Sequence, residues 1–93
     1  MATQSQTLRK DPSAVLDYSF DWSDWLESDE VISASVWTVA TGIIEDSRTF
    51  GDTATIIWLS GGTAGKSYIV ANKVTTSGGR TDERSFEIVV ENR

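Results

Sequence analysis

The chain has 93 residues, 39% of them hydrophobic and 24% charged, with a net charge of −6 at neutral pH: one ordinary domain with enough apolar residues for a single core. That acidity argues against duplex nucleic acid and anionic membrane surfaces as partners, since phosphates repel such a surface. There is no Cys and no His, which excludes disulfides, Cys/His metal sites and imidazole or thiolate catalysis.

Residues 1–10 are polar and carry no periodic pattern, so they read as an arm outside the core. They lack the apolar stretch of a signal peptide. Asp11-Pro12 opens the domain, residues 11–93, because the residue before proline is pushed out of helical space. Next, Leu16, Tyr18, Phe20 and Trp22 alternate with Asp17, Ser19, Asp21 and Ser23. A period of two makes this a strand that is aromatic on one face and acidic on the other. The register then breaks at Asp24, Trp25 and Leu26. Asp21 and Asp24 form a weak capping pattern, which predicts one turn carrying Trp22 and Trp25 on one side. Ser28, Asp29 and Glu30 read as a turn.

Residues 31–40 are rich in β-branched residues and form a strand with neither face cleanly polar, which points to a bulge. Residues 43–50 are ambiguous between a strand and a solvated segment. Residues 53–59, ending in Trp58 and Leu59, read as a central buried strand, and Trp58→Ala is then expected to abolish folding. Residues 60–65 are a loop with three glycines. In residues 67–76, Tyr68, Val70, Asn72 and Val74 alternate with Ile69, Ala71, Lys73 and Thr75. Ser77-Gly78-Gly79-Arg80 is a tight turn. Phe86, Ile88 and Val90 point inward from the last strand. Six or seven short strands without an amphipathic helix predict an all-β fold: an immunoglobulin- or fibronectin-like antiparallel β-sandwich with a polar N-terminal arm, a small barrel being the competitor.

Ser60-Gly-Gly-Thr-Ala-Gly-Lys66-Ser67 superficially matches a phosphate-binding loop. The first glycine is missing, and the residues that follow alternate as a strand where that motif requires a helix. Half of the 14 acidic residues lie in residues 11–30, and no Lys or Arg occurs in residues 11–47. These acids lack the glycine and spacing of a calcium loop, so they read as a solvated face. No catalytic grouping can be assembled, so the chain reads as a non-enzyme with no cofactor, no metal and no small-molecule substrate. An exposed indole flanked by acids is the pattern of an interface anchor. The candidate partner-binding residues are therefore Asp17, Asp21, Trp22, Asp24, Trp25 and Leu26. The bland alternative is that Trp22 and Trp25 close the bottom of the core. A carbohydrate- or receptor-binding module, with those two rings stacking on sugars, is a reading from another class.

Several separated motifs carry a resemblance: Asp11-Pro12-x-Ala14-Val15-Leu16-Asp17-Tyr18, Asp21-Trp22-x-x-Trp25-Leu26, Trp58-Leu59-Ser60-Gly61-Gly62-Thr63-x-Gly65-x-x-Tyr68, Asn72-x-Val74-Thr75-Thr76 and Gly79-Arg80-x-Asp82-x-Arg84-Ser85-Phe86-x-Ile88. From Asp11 onward the chain resembles the fiber-tail adaptor proteins of tailed bacteriophages and prophages, departing at Ser28, where a glycine is usual. The resemblance implies an immunoglobulin-like virion structural protein that connects a fiber to the tail or neck. Its partners would be tail, neck or fiber subunits, met in multiple symmetric copies. Assembly would take place in the host cytoplasm, with the virion as final location. A capsid decoration protein is the alternative within the virion. The arm is expected to be dispensable for folding and needed for incorporation into particles.

Overall fold

Alternation decides which side of each strand is buried, and seven strands result. The computed structural model describes residues 7–92. The strands are β1 (Thr7–Lys10), β2 (Leu16–Asp21), β3 (Ile32–Val39), β4 (Ile43–Phe50), β5 (Ala54–Gly61), β6 (Ser67–Thr76) and β7 (Thr81–Val90). They form two sheets, a four-stranded one ordered β1-β7-β6-β3 and a three-stranded one ordered β2-β5-β4. Every pairing is antiparallel except β1 with β7, which is parallel. The sheets pack face to face, so the fold is an all-β, immunoglobulin-like sandwich rather than a closed barrel.

The inward rows fill the space between the sheets. Trp37, Ile43, Ile57, Leu59, Tyr68, Val70, Phe86, Ile88 and Val90 make the main cluster, with Tyr18 and Phe20 of β2 packed against it. Phe20 stacks on Trp37 at 6.0 Å between ring centroids and tilts against Phe86 at 5.6 Å. Trp22, Ile32 and Val74 form a second cluster at one end. Strand β3 carries an irregularity between Ile32 and Ala34, which is the expected bulge. The ambiguous segment is strand β4, with a register shift between Glu45 and Ser47.

Two expectations are corrected. The arm over residues 1–10 is not wholly outside the core. Thr7–Lys10 pairs with β7, from Thr7 opposite Glu87 to Lys10 opposite Val90, while residues 1–6 lie outside the described residues. Leu8 packs against the main cluster and Lys10 is only 1% exposed. The Lys10 Nζ donates to the carbonyl oxygens of Gly61 at 2.8 Å and Asp11 at 2.9 Å. That ammonium ties β1 to the end of β5 in the opposite sheet. Burial pushes the Lys10 pKa below its usual value, with Asp11 and Asp46 opposing the shift. A short strand whose inward residues are Leu and Lys has no apolar run to announce it.

The second correction concerns Trp58, which is 42% exposed. In β5 the buried row is Thr55, Ile57 and Leu59, and Trp58 stands on the other side. The strand is central in its sheet, yet among the described residues no second layer covers that sheet's outer face. A central strand need not be buried on both sides when the sheet is antiparallel.

The glycine-rich loop between β5 and β6 is a structural connection. Gly62 has φ +96°, and a Cβ there would lie 2.7 Å from Val90 Cγ2 and 2.9 Å from Ile43 Cδ1. The Thr63 amide donates to the Tyr68 hydroxyl at 2.9 Å, that of Gly65 to the Val90 carbonyl at 2.8 Å, and that of Lys66 to the Thr63 carbonyl at 3.1 Å. Amides a phosphate would need are engaged within the fold.

Candidate functional site

The acidic, aromatic segment after β2 folds back as one turn. The Asp21 carboxylate accepts from the Ser23 amide at 2.9 Å, and the Trp25 and Leu26 amides donate to the Trp22 carbonyl at 3.0 and 3.1 Å. The Ser23 bonds hold the Asp21 carboxyl below the usual carboxylate range. Trp22 and Trp25 sit on one side of the turn, edge to face at 5.4 Å. Two arginines from a distant part of the sequence, Arg84 in β7 and Arg80 in the turn before it, extend this pair. The Arg84 guanidinium lies 4.2 Å from the Trp22 ring centroid, and that of Arg80 lies 4.4 Å from the Trp25 ring centroid. The result is a ladder of Arg84, Trp22, Trp25 and Arg80, held by the attraction of cations for π faces. Arg84 also donates to the Asp21 carbonyl at 3.0 Å and reaches the Asp24 carboxylate at 3.4 Å.

Trp22 is fully buried. Its Nε1 donates to Asn72 Oδ1 at 3.2 Å and Thr55 Oγ1 at 3.3 Å. Asn72 also accepts from Thr55 at 2.7 Å and donates to Ser35 Oγ at 2.9 Å and the Val36 carbonyl at 3.2 Å. This buried amide links both sheets to the turn, and its polar atoms are all engaged. The sequence signal for it was an Asn standing in the inward row of Tyr68, Val70 and Val74.

The next turn is fastened by Glu30. Its carboxylate accepts from Arg80 Nε at 3.0 Å, from Arg80 Nη2, from the Glu27 amide at 2.9 Å and from the Thr76 hydroxyl. The Arg80 and Glu27 bonds are the leading causes that lower the Glu30 pKa to about 2. The turn closes with the Glu30 amide on the Glu27 carbonyl at 3.0 Å. No described non-glycine residue has positive φ, so Ser28 fits this turn without a glycine.

The six candidate residues therefore separate. Asp17, Asp21 and Asp24 are exposed, Trp25 and Leu26 are half-buried, and Trp22 is in the core. Trp22 as an interface anchor is corrected: its indole closes the core, because the turn carries it inward onto Asn72. Arg80 covers one face of the Trp25 ring, and the buried Trp22 ring offers no face for a sugar to stack on.

The exposed indole is on β5. Trp58 pairs with Asp17 of β2 and Ser47 of β4, so the three side chains share the outer face of the three-stranded sheet. In the same face, Ile56 lies between Ser19 and Thr49, and Ile44 lies beside Ser60. Ile44 is 57% exposed. The acids of β2 thus flank an apolar centre, as the alternation predicts, but that centre is Trp58 and not Trp22.

Among solved structures, the chain is similar to the PKD domain from KIAA 1837 protein, determined in solution, with a TM-score of 0.49 and 17% identity over 98% of this chain and 81% of that one. No curated protein matches the sequence. The family model described as "Podophage GP4 fiber-tail adaptor protein gp77" matches residues 10–89, from the last residue of β1 almost to the end of β7. With so much of the sandwich matched, the chain belongs to the podophage fiber-tail adaptor family.

Proposed function

We propose that this protein is a non-enzymatic virion component that joins a fiber to the tail or neck of a podophage particle. It would act in several symmetry-related copies, after assembly in the host cytoplasm. The observation that carries the reading is the family match across residues 10–89. The construction of the domain supports it. Both turns in the acidic segment are held by arginines from β7 or the turn before it, so the exposed carboxylates stand on a fixed frame. A fixed frame loses little conformational freedom when a neighbour docks on it.

The test is to compare particles assembled with and without the chain. Particles lacking it are expected to carry a complete head and to have lost their fibers, and a tagged copy should appear in cryo-electron microscopy density where fiber meets tail or neck. Density for the tag over the capsid surface would favour a decoration role instead. Fibers attached normally to particles without the chain would end the adaptor reading.

A further inference from the structure

We infer that the outer face of the β2-β5-β4 sheet, centred on Trp58, is the surface by which this domain docks onto its virion neighbour. The neighbour would present an apolar pocket for the indole, rimmed by Lys or Arg. The inference rests on the adaptor reading and gives it a location. Trp58 stands 42% exposed in the middle strand of that sheet, with Ile56 beside it and Ile44, 57% exposed, diagonally across. Tryptophan at the centre of a patch is the residue type most often found anchoring an interface.

Charge selects the partner. The outward row of β2 is Asp17, Ser19 and Asp21, and Asp17 lies directly opposite Trp58. The outward positions of β2, β4 and β5 hold no Lys or Arg. Arg48, on the β4 edge, is already engaged with Glu45 at 3.0 Å. A basic rim on the neighbour would complement this face and steer its approach. A second copy of the chain fits poorly, because it would bring the same acidic rim against itself. Size argues the same way. Three strands about 4.8 Å apart and roughly 20–27 Å long cover far less than the ~800 Å² per side of a stable isolated interface. One such contact is weak and becomes firm only when several copies engage one particle.

The experiment adds purified full-length chain to particles assembled without it and counts bound copies by quantitative mass spectrometry at two salt concentrations. Wild type should bind saturably, and less at high salt. Trp58→Ser and Asp17→Lys should each lower occupancy at limiting protein by tenfold or more, with a retained cooperative melt. Val36→Ser, at an exposed position on the opposite sheet, should bind as wild type. Either Trp58→Ser or Asp17→Lys binding as wild type overturns this face and leaves the adaptor reading standing. Wild type that binds no particle overturns both. A dimer in sedimentation that Trp58→Ser dissolves makes a second copy the occupant and overturns the basic partner, as does a saturable glycan-induced fluorescence shift lost in Trp58→Ser. If Trp58→Ser fails to melt cooperatively, Asp17→Lys decides alone.

Discussion

The four tryptophans share one chemistry and have four different surroundings. Trp37 is buried against Phe20, and Trp22 is sealed over Asn72. Truncating a buried indole leaves a cavity as well as losing its transfer energy, so Trp37→Ala should cost about 3–5 kcal/mol. That is a large part of the roughly 5–15 kcal/mol holding a small domain together. Trp58→Ala removes a half-exposed ring and should cost about 1 kcal/mol or less, so the melting temperature should fall by no more than roughly 4–8 °C for a domain of this size. Thermal melts of the two variants check the ranking, and a larger loss for Trp58→Ala would contradict it. Glu30 sets a pH dependence of known sign. Its folded pKa is about 2, against an ordinary 4.5. In that window the unfolded chain binds the proton and the folded one does not, so stability falls as pH drops from 4.5 towards 2. Glu30→Gln should therefore melt lower than wild type at pH 7 and lose less on acidification, a difference that melts at pH 7, 4 and 2.5 would reveal.

At the level of elements, β1 is the strand that alternation hid. Removing residues 1–10 strips the ladder from the outer edge of β7 and leaves the Gly61 carbonyl without its Lys10 donor. Those losses should total about 2 kcal/mol or more, or roughly 8–16 °C in melting temperature. A truncated chain that melts like the parent would show that β1 contributes nothing to the fold. The long inward rows of β6 and β7 were legible because Tyr68, Val70, Val74, Phe86, Ile88 and Val90 keep strict period two. The sides of β5 were not, because Thr55 faces in while Ile56 and Trp58 face out, and hydropathy reads that row backwards. Burial of Thr55 depends on Asn72, a partner 17 positions away in the chain. Likewise the aromatic row of β2 gave its own orientation correctly, and its acids belong to the face proposed for docking. What period two could not supply was which tryptophan sits among them, since that depends on strand order in the sheet.

For the whole molecule, two sheets and an immunoglobulin-like order follow from counting short alternating strands with turns between them. The family followed from motifs spread from Asp11 to Ile88, a span close to the 10–89 of the match. The arginine ladder was beyond reach of sequence, because Arg80 and Arg84 meet Trp25 and Trp22 across 55 or more positions. Strands β1 and β7 run in the same direction, with Thr7 beside Glu87 and Lys10 beside Val90. Tension entering through the chain ahead of Thr7 and leaving beyond Val90 therefore pulls the two strands lengthwise past each other. All rungs between them are strained together, whereas a hairpin peeled from one end surrenders them singly. In that loading direction the edge pair gives way in a single step, and stretching from any other pair of points would load it differently.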